Sequence, residues 1–115
     1  MARVTGIGGI FFRARDTKAL AAWYRDHFGI GYPWTQDAGM TVFAPFEEKT
    51  TYFPAAKQWM INLRVDDLDA MIEHLESAGI SVETRAEWDT PETGRFARLA
   101  DPEGNQIELW QPPAE

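Results

Sequence analysis

The chain has 115 residues, 44% of them hydrophobic, which suits one packed domain and excludes global disorder. It contains no cysteine, which excludes disulfides, thiolate metal sites and a cysteine nucleophile. A net charge of −7 repels nucleic acid and anionic lipid, so neither is expected as a partner.

From the N-terminus, Gly9-Ile10-Phe11-Phe12-Arg13-Ala14 predicts a strand leading into a helix. Alternation puts Ile10, Phe12 and Ala14 under that helix and Gly9, Phe11 and Arg13 on the opposite side of the sheet. Asp16 caps the helix, Leu20, Trp23, Tyr24 and Phe28 share one face, and Gly29 is a left-handed stop. Gly31–Trp34 and Met40–Ala44 read as strands, and Glu47–Gln58 as a connection. Met60–Val65 alternates cleanly: Ile61, Leu63 and Val65 point one way, Met60, Asn62 and Arg64 the other. Asp66 or Asp67 caps a second helix carrying Leu68, Met71, Ile72, Leu75 and Ala78 on one face, stopped by Gly79. Ile80–Arg85, Arg95–Ala100 and Asn105–Trp110 complete the strands. The last two form a hairpin through Asp101-Pro102-Glu103-Gly104, which has the Asp, Pro and Gly placement of a type I turn.

The second half therefore echoes the first. Asp16 to Gly29 and Asp66 to Gly79 each span thirteen positions, and an Ile follows each Gly. The helices repeat at an offset of 50 and the strands at 51, so one module carries an extra residue at the strand–helix junction. The expected organisation is one domain over residues 1–115, with module one at about 5–57 and module two at about 58–113. Charge divides between them. Residues 1–57 hold seven basic and five acidic side chains, residues 58–115 four and thirteen. No apolar run approaches the ~20 residues of a membrane span and nothing at the start reads as a signal peptide, so a cytoplasmic location is expected.

These residues closely resemble the vicinal oxygen chelate superfamily, which contains glyoxalases, bleomycin-resistance proteins and extradiol dioxygenases. The marks are the unit Ile10–Gly29, its echo Met60–Gly79, and the ending Arg95-Phe96-Ala97 … Asp101-Pro102-Glu103-Gly104-Asn105-Gln106-Ile107-Glu108-Leu109. The resemblance implies an α+β fold of two tandem βαβββ modules whose curved mixed sheet surrounds a cleft, with module one shortened. It also implies a homodimer. Metal-dependent members place His, Gln or Glu ligands on the first and last strands of each module, where a divalent ion polarises a carbonyl or enediolate. Here the equivalent positions read Gly9, Met60, no ligand near Met40–Ala44, and Glu108. Glycine offers no donor and a thioether is a poor ligand for such ions, so no cofactor is expected. Both histidines, His27 and His74, fall on the helices.

The inward-pointing side chains would then be Phe11, Arg13, Met60, Asn62, Arg64, Glu108 and Trp110. Arg13 and Arg64 occupy equivalent places in the two modules and could together grip a carboxylate or phosphate, or pair with Glu108 instead. Glu108 is the candidate catalytic residue, as a proton shuttle beside a carbonyl. Fifteen aromatic residues exceed what such a core needs; Trp34, Tyr52, Trp59 and Trp88 are open between core, interface and cleft wall. The turn-rich segment Ala86–Gly94 is a candidate lid. Three readings follow. The first is a metal-free protein binding a small molecule in an aromatic cleft. The second is an enzyme, either a lyase or isomerase using Glu108 or a metal enzyme with atypical ligands such as Glu47. The third is a dimerising scaffold.

Overall fold

In the computed structural model, which describes residues 1–114, helix α1 spans Thr17–Phe28 and helix α2 Leu68–Ser77. Three strands, β1 (Ile61–Arg64), β2 (Arg95–Ala100) and β3 (Gln106–Gln111), form a mixed sheet in the order β1-β3-β2. Strand β3 runs parallel to β1 and antiparallel to β2. A single antiparallel bridge from Glu83 to Arg98 adds a fourth segment outside β2.

Local chemistry explains the helix limits. The Asp16 carboxylate accepts the Ala19 N–H, and Gly29 closes α1 in the left-handed region at φ 69°. Asp67, not Asp66, caps α2 by accepting the Ala70 N–H at 3.0 Å. With Asp67 as cap, the helix starts repeat at the same offset of 51 as the strands, and the discrepancy moves to the C-terminal ends. The Gln111 side chain also accepts the Leu68 N–H, tying the start of α2 to the end of β3.

The sheet's apolar face and both helices share one core. Leu63, Ala97, Leu99, Ile107 and Leu109 from the strands meet Leu20, Tyr24, Leu68 and Leu75 from the helices. Leu68, Leu75, Ile107 and Leu109 are fully enclosed, each contributing on the order of 1.5–3 kcal/mol. Ile61 and Val65 pack against the same cluster, as the alternation of β1 predicts.

The hairpin turn is bound to α1 at two points. The Tyr24 hydroxyl donates to Asp101 Oδ2 at 2.7 Å, and the Glu103 carboxylate accepts the N–H groups of Arg15 (2.6 Å) and Asp16 (3.0 Å). Those backbone donors hold the Glu103 carboxyl below its ordinary range.

The first half departs from expectation. Among the described residues, Gly9–Ala14, Gly31–Trp34 and Met40–Ala44 form no strands. Two tandem βαβββ modules are therefore not seen among the described residues. A strand is defined by a hydrogen-bonded neighbour, and no segment among the described residues pairs with these three. Ala14 still packs on the core and Phe12 meets Tyr24 edge-on, but Ile10 is exposed. The expected strand Ile80–Arg85 reduces to the Glu83 bridge, with Ile80 and Val82 turned toward the core.

Candidate functional site

The sheet's other face is polar and aromatic. Register places Asn62 beside Glu108 and Arg64 beside Trp110 across the parallel pair, and Arg98 beside Glu108 and Phe96 beside Trp110 across the antiparallel pair. Period-two alternation brings Asn62, Arg64, Phe96, Arg98, Gln106, Glu108 and Trp110 to one surface. The rings of Phe96 and Trp110 stack at 6.3 Å, and the Trp110 indole donates to the Thr93 carbonyl at 2.7 Å.

Glu108 stands at the middle of this face, half-buried. Its Oε1 accepts from the Asn62 amide at 2.7 Å and its Oε2 from the Tyr52 hydroxyl. Burial and that hydrogen bond push the Tyr52 phenol above its ordinary value of 10, so it is the donor. Tyr52 comes from the connection between the halves, and three contacts pin it. Gln106 donates to its carbonyl at 2.7 Å and Arg98 at 3.2 Å, while the Arg98 guanidinium lies over the Tyr52 ring at 5.2 Å. The same guanidinium lies over Trp88 at 4.9 Å and donates to Glu83 at 2.7 Å. A hollow of about 380 Å³ opens alongside, lined by Thr50–Ala55, Arg98 and Gln106.

The residues named from sequence are thus partly assembled. Asn62 and Glu108 bond directly, Met60 lies beside them with its sulfur against the Gln106 amide, and Trp110 shares their face. Arg13 and Arg64 are not brought together. Arg64 donates to the Asp37 carbonyl at 2.9 Å, and its guanidinium lies against Gly39, where an added Cβ would make it shift. Arg13 lines a separate hollow of about 420 Å³ with Ala14, Arg15, Lys57 and Glu103. Neither arginine forms an ion pair with Glu108. Phe11 is exposed and off the sheet. His27 and His74 face each other across the helices, ring centroids 5.7 Å apart.

Segment Ala86–Gly94 is fastened in place rather than free. It contains a 3₁₀ turn at Ala86–Trp88, Asp89 accepts the Phe96 N–H at 3.0 Å, and Thr90 pairs with Gly94. Gly94 sits at φ 100° hard against Gln111, a conformation open to glycine alone. Tyr52, Arg98 and Gln106 are neighbours that sequence reasoning did not connect to Glu108. Gln106 and Arg98 were discoverable from hairpin register, being two residues along and directly across. Tyr52 carried no such signal, because its connection has no period.

A family model for the Glyoxalase/Bleomycin resistance protein/Dioxygenase superfamily matches residues 6–109. The chain belongs to this superfamily. A similar solved structure is the antibiotic binding protein TnmS3 from Streptomyces sp. CB03234, with 21% identity over 97% of this chain and 99% of that one and a TM-score of 0.58. The likeness supports a common fold. Another is a glyoxalase/bleomycin resistance protein from the same organism, 37% identical over 45% of each chain, with a TM-score of 0.34. No curated protein matches significantly.

Metal-dependent members of the superfamily imply a divalent ion, and the donors here do not fit one. Gly9 has none, Met60 offers a thioether already against an amide, and Glu108 is the lone carboxylate among the expected ligand positions. Among the described residues no three His, Cys, Asp or Glu side chains cluster as a ligand set. Nor is any helix among them long and apolar enough to cross a membrane.

Proposed function

We propose that this superfamily member binds a small molecule against the open face of its sheet, without the family metal and as a homodimer. Asn62 and Glu108 are the polar anchors; Tyr52, Trp88 and Trp110 supply aromatic walls, with Met60 at the margin. The observation that carries the reading is the half-buried Glu108 carboxylate, held by neutral donors on a face rich in rings. A few placed polar groups among aromatic side chains are what small-molecule sites generally offer. That an antibiotic binding protein is built on a similar fold supports the same use here.

The enzyme alternative also has an observation in its favour. The Tyr52 hydroxyl on Glu108 places a proton donor on the carboxylate, the pairing that a lyase or isomerase shuttle would need. Metal analysis of the purified protein and thermal-shift measurements over divalent ions and a small-molecule library separate the readings. Ligand-induced stabilisation in chelator-treated protein, with no turnover of the stabilising compounds, is expected. Stoichiometric metal would overturn the metal-free reading. Turnover abolished in Glu108→Gln would favour the shuttle.

A further inference from the structure

Among the described residues, every arginine of the second half is committed elsewhere than to Glu108. Arg64 donates to main-chain carbonyls, Arg85 pairs with Glu83, Arg95 with Asp69, and Arg98 with Glu83 and the Tyr52 carbonyl. Arg98 is the telling case. It is the direct cross-strand neighbour of Glu108, where an ion pair would be the default, yet it turns away to stack between Tyr52 and Trp88. The carboxylate is left with two neutral donors, the Asn62 amide and the Tyr52 hydroxyl.

We infer that Glu108 is the counter-ion for a cationic ligand, a protonated amine on a flat apolar body, and that the Tyr52 hydroxyl is the internal stand-in this amine displaces. The inference rests on the small-molecule reading above and names its ligand class. A carboxylate offers about four acceptor positions, and the protein uses two. An ammonium carries three donors and full charge, and charge-assisted hydrogen bonds are about twice as strong as neutral ones. Exchange of phenol for ammonium at Oε2 therefore favours the ligand. An anion meets the opposite situation, because Glu108 repels it and the nearby guanidiniums of Arg64 and Arg98 are already bonded. The hollow beside Tyr52, about 380 Å³, gives the displaced ring somewhere to move.

The test uses three naphthalenes differing in one group: 1-naphthylmethylamine, 1-naphthalenemethanol and 1-naphthoate. Affinities are measured by titration calorimetry at pH 7 on the intact protein, on Tyr52→Phe and on Glu108→Gln. The amine should bind wild type at least roughly tenfold more tightly than the alcohol, and the carboxylate least well. Tyr52→Phe should tighten amine binding by about tenfold, since the competing internal donor is gone. Glu108→Gln should bring amine and alcohol within about twofold of each other. Equal binding of amine and alcohol to wild type, or tighter binding of naphthoate, would overturn the cation assignment while leaving small-molecule binding intact. Failure of all three to bind would overturn both readings. Unchanged or weaker amine binding in Tyr52→Phe would remove Tyr52 as the stand-in.

Discussion

Asp101 is the single buried charged or polar side chain among the described residues, and its two carboxylate oxygens are fully employed. Oδ1 accepts the N–H groups of Glu103 and Asn105, at 2.8 and 3.0 Å. Oδ2 accepts the Asn105 amide and the Tyr24 hydroxyl, both at 2.7 Å. The first pair shapes the turn and the last bond reaches across the core to α1. Tyr24→Phe removes one donor to a buried charge and should lower the unfolding free energy in urea by about 1.5–3 kcal/mol. Burial and Asp101 push the Tyr24 phenol well above its ordinary value of 10, as burial and Glu108 do for Tyr52. Because both folded values are raised, their contribution to stability is complete below pH 10 and is lost as pH rises toward the folded values. Spectrophotometric titration should find two of the three tyrosines ionising only above pH 10, with stability to urea declining over the same range. Ionisation of both at their ordinary value would show that neither bond persists in solution.

At the scale of elements, what was legible in the sequence was whatever carries its own punctuation. Both helices, their glycine stops and the β2–β3 hairpin were readable because caps, turns and periodicity act over a few residues. Two adjacent aspartates left one ambiguity, resolved by the Asp67 carboxylate reaching the Ala70 N–H. Asp67→Ala should therefore cost about 1 kcal/mol in chemical denaturation, while Asp66→Ala should change stability by less than about 0.5 kcal/mol. Equal effects would mean that the cap is shared or unimportant. The strands expected in the first half do not form among the described residues. Gly9–Ala14 and Met40–Ala44 have suitable composition, but a strand needs a partner edge, and that depends on distant chain. The candidate site divides along the same line. Asn62 and Glu108 follow from register once β1 and β3 are paired, whereas Tyr52 reaches Glu108 across 56 positions with no local pattern.

For the whole molecule the two halves are unequal in cover. The second half supplies most of the buried core, while Val4, Phe11, Tyr32, Met40, Val42 and Phe43 of the first half stand open to solvent. Exposed apolar side chains in this number are candidates for cover by a partner, and among the described residues the segments that carry them pair with no strand. In the homodimer proposed above a second copy would cover them, and the halves also differ in charge. Seven basic and five acidic residues in the first half would meet four and thirteen in the second in a head-to-tail pairing. Light scattering after gel filtration should find a dimer at micromolar concentration. Phe11→Asp combined with Phe43→Asp should yield monomer with α2 and the sheet intact by circular dichroism. A stable pairing needs roughly 1,200–2,000 Å² of buried surface, within reach of these exposed segments. If charge complementarity contributes, raising salt from 0.05 to about 0.5 M should weaken association, since the screening length falls to a few ångströms. If apolar burial alone holds the pair, salt leaves it unchanged or strengthens it. A wild-type chain that remains monomeric at ~100 µM, a concentration at which even micromolar pairs are mostly assembled, would rule the dimer out.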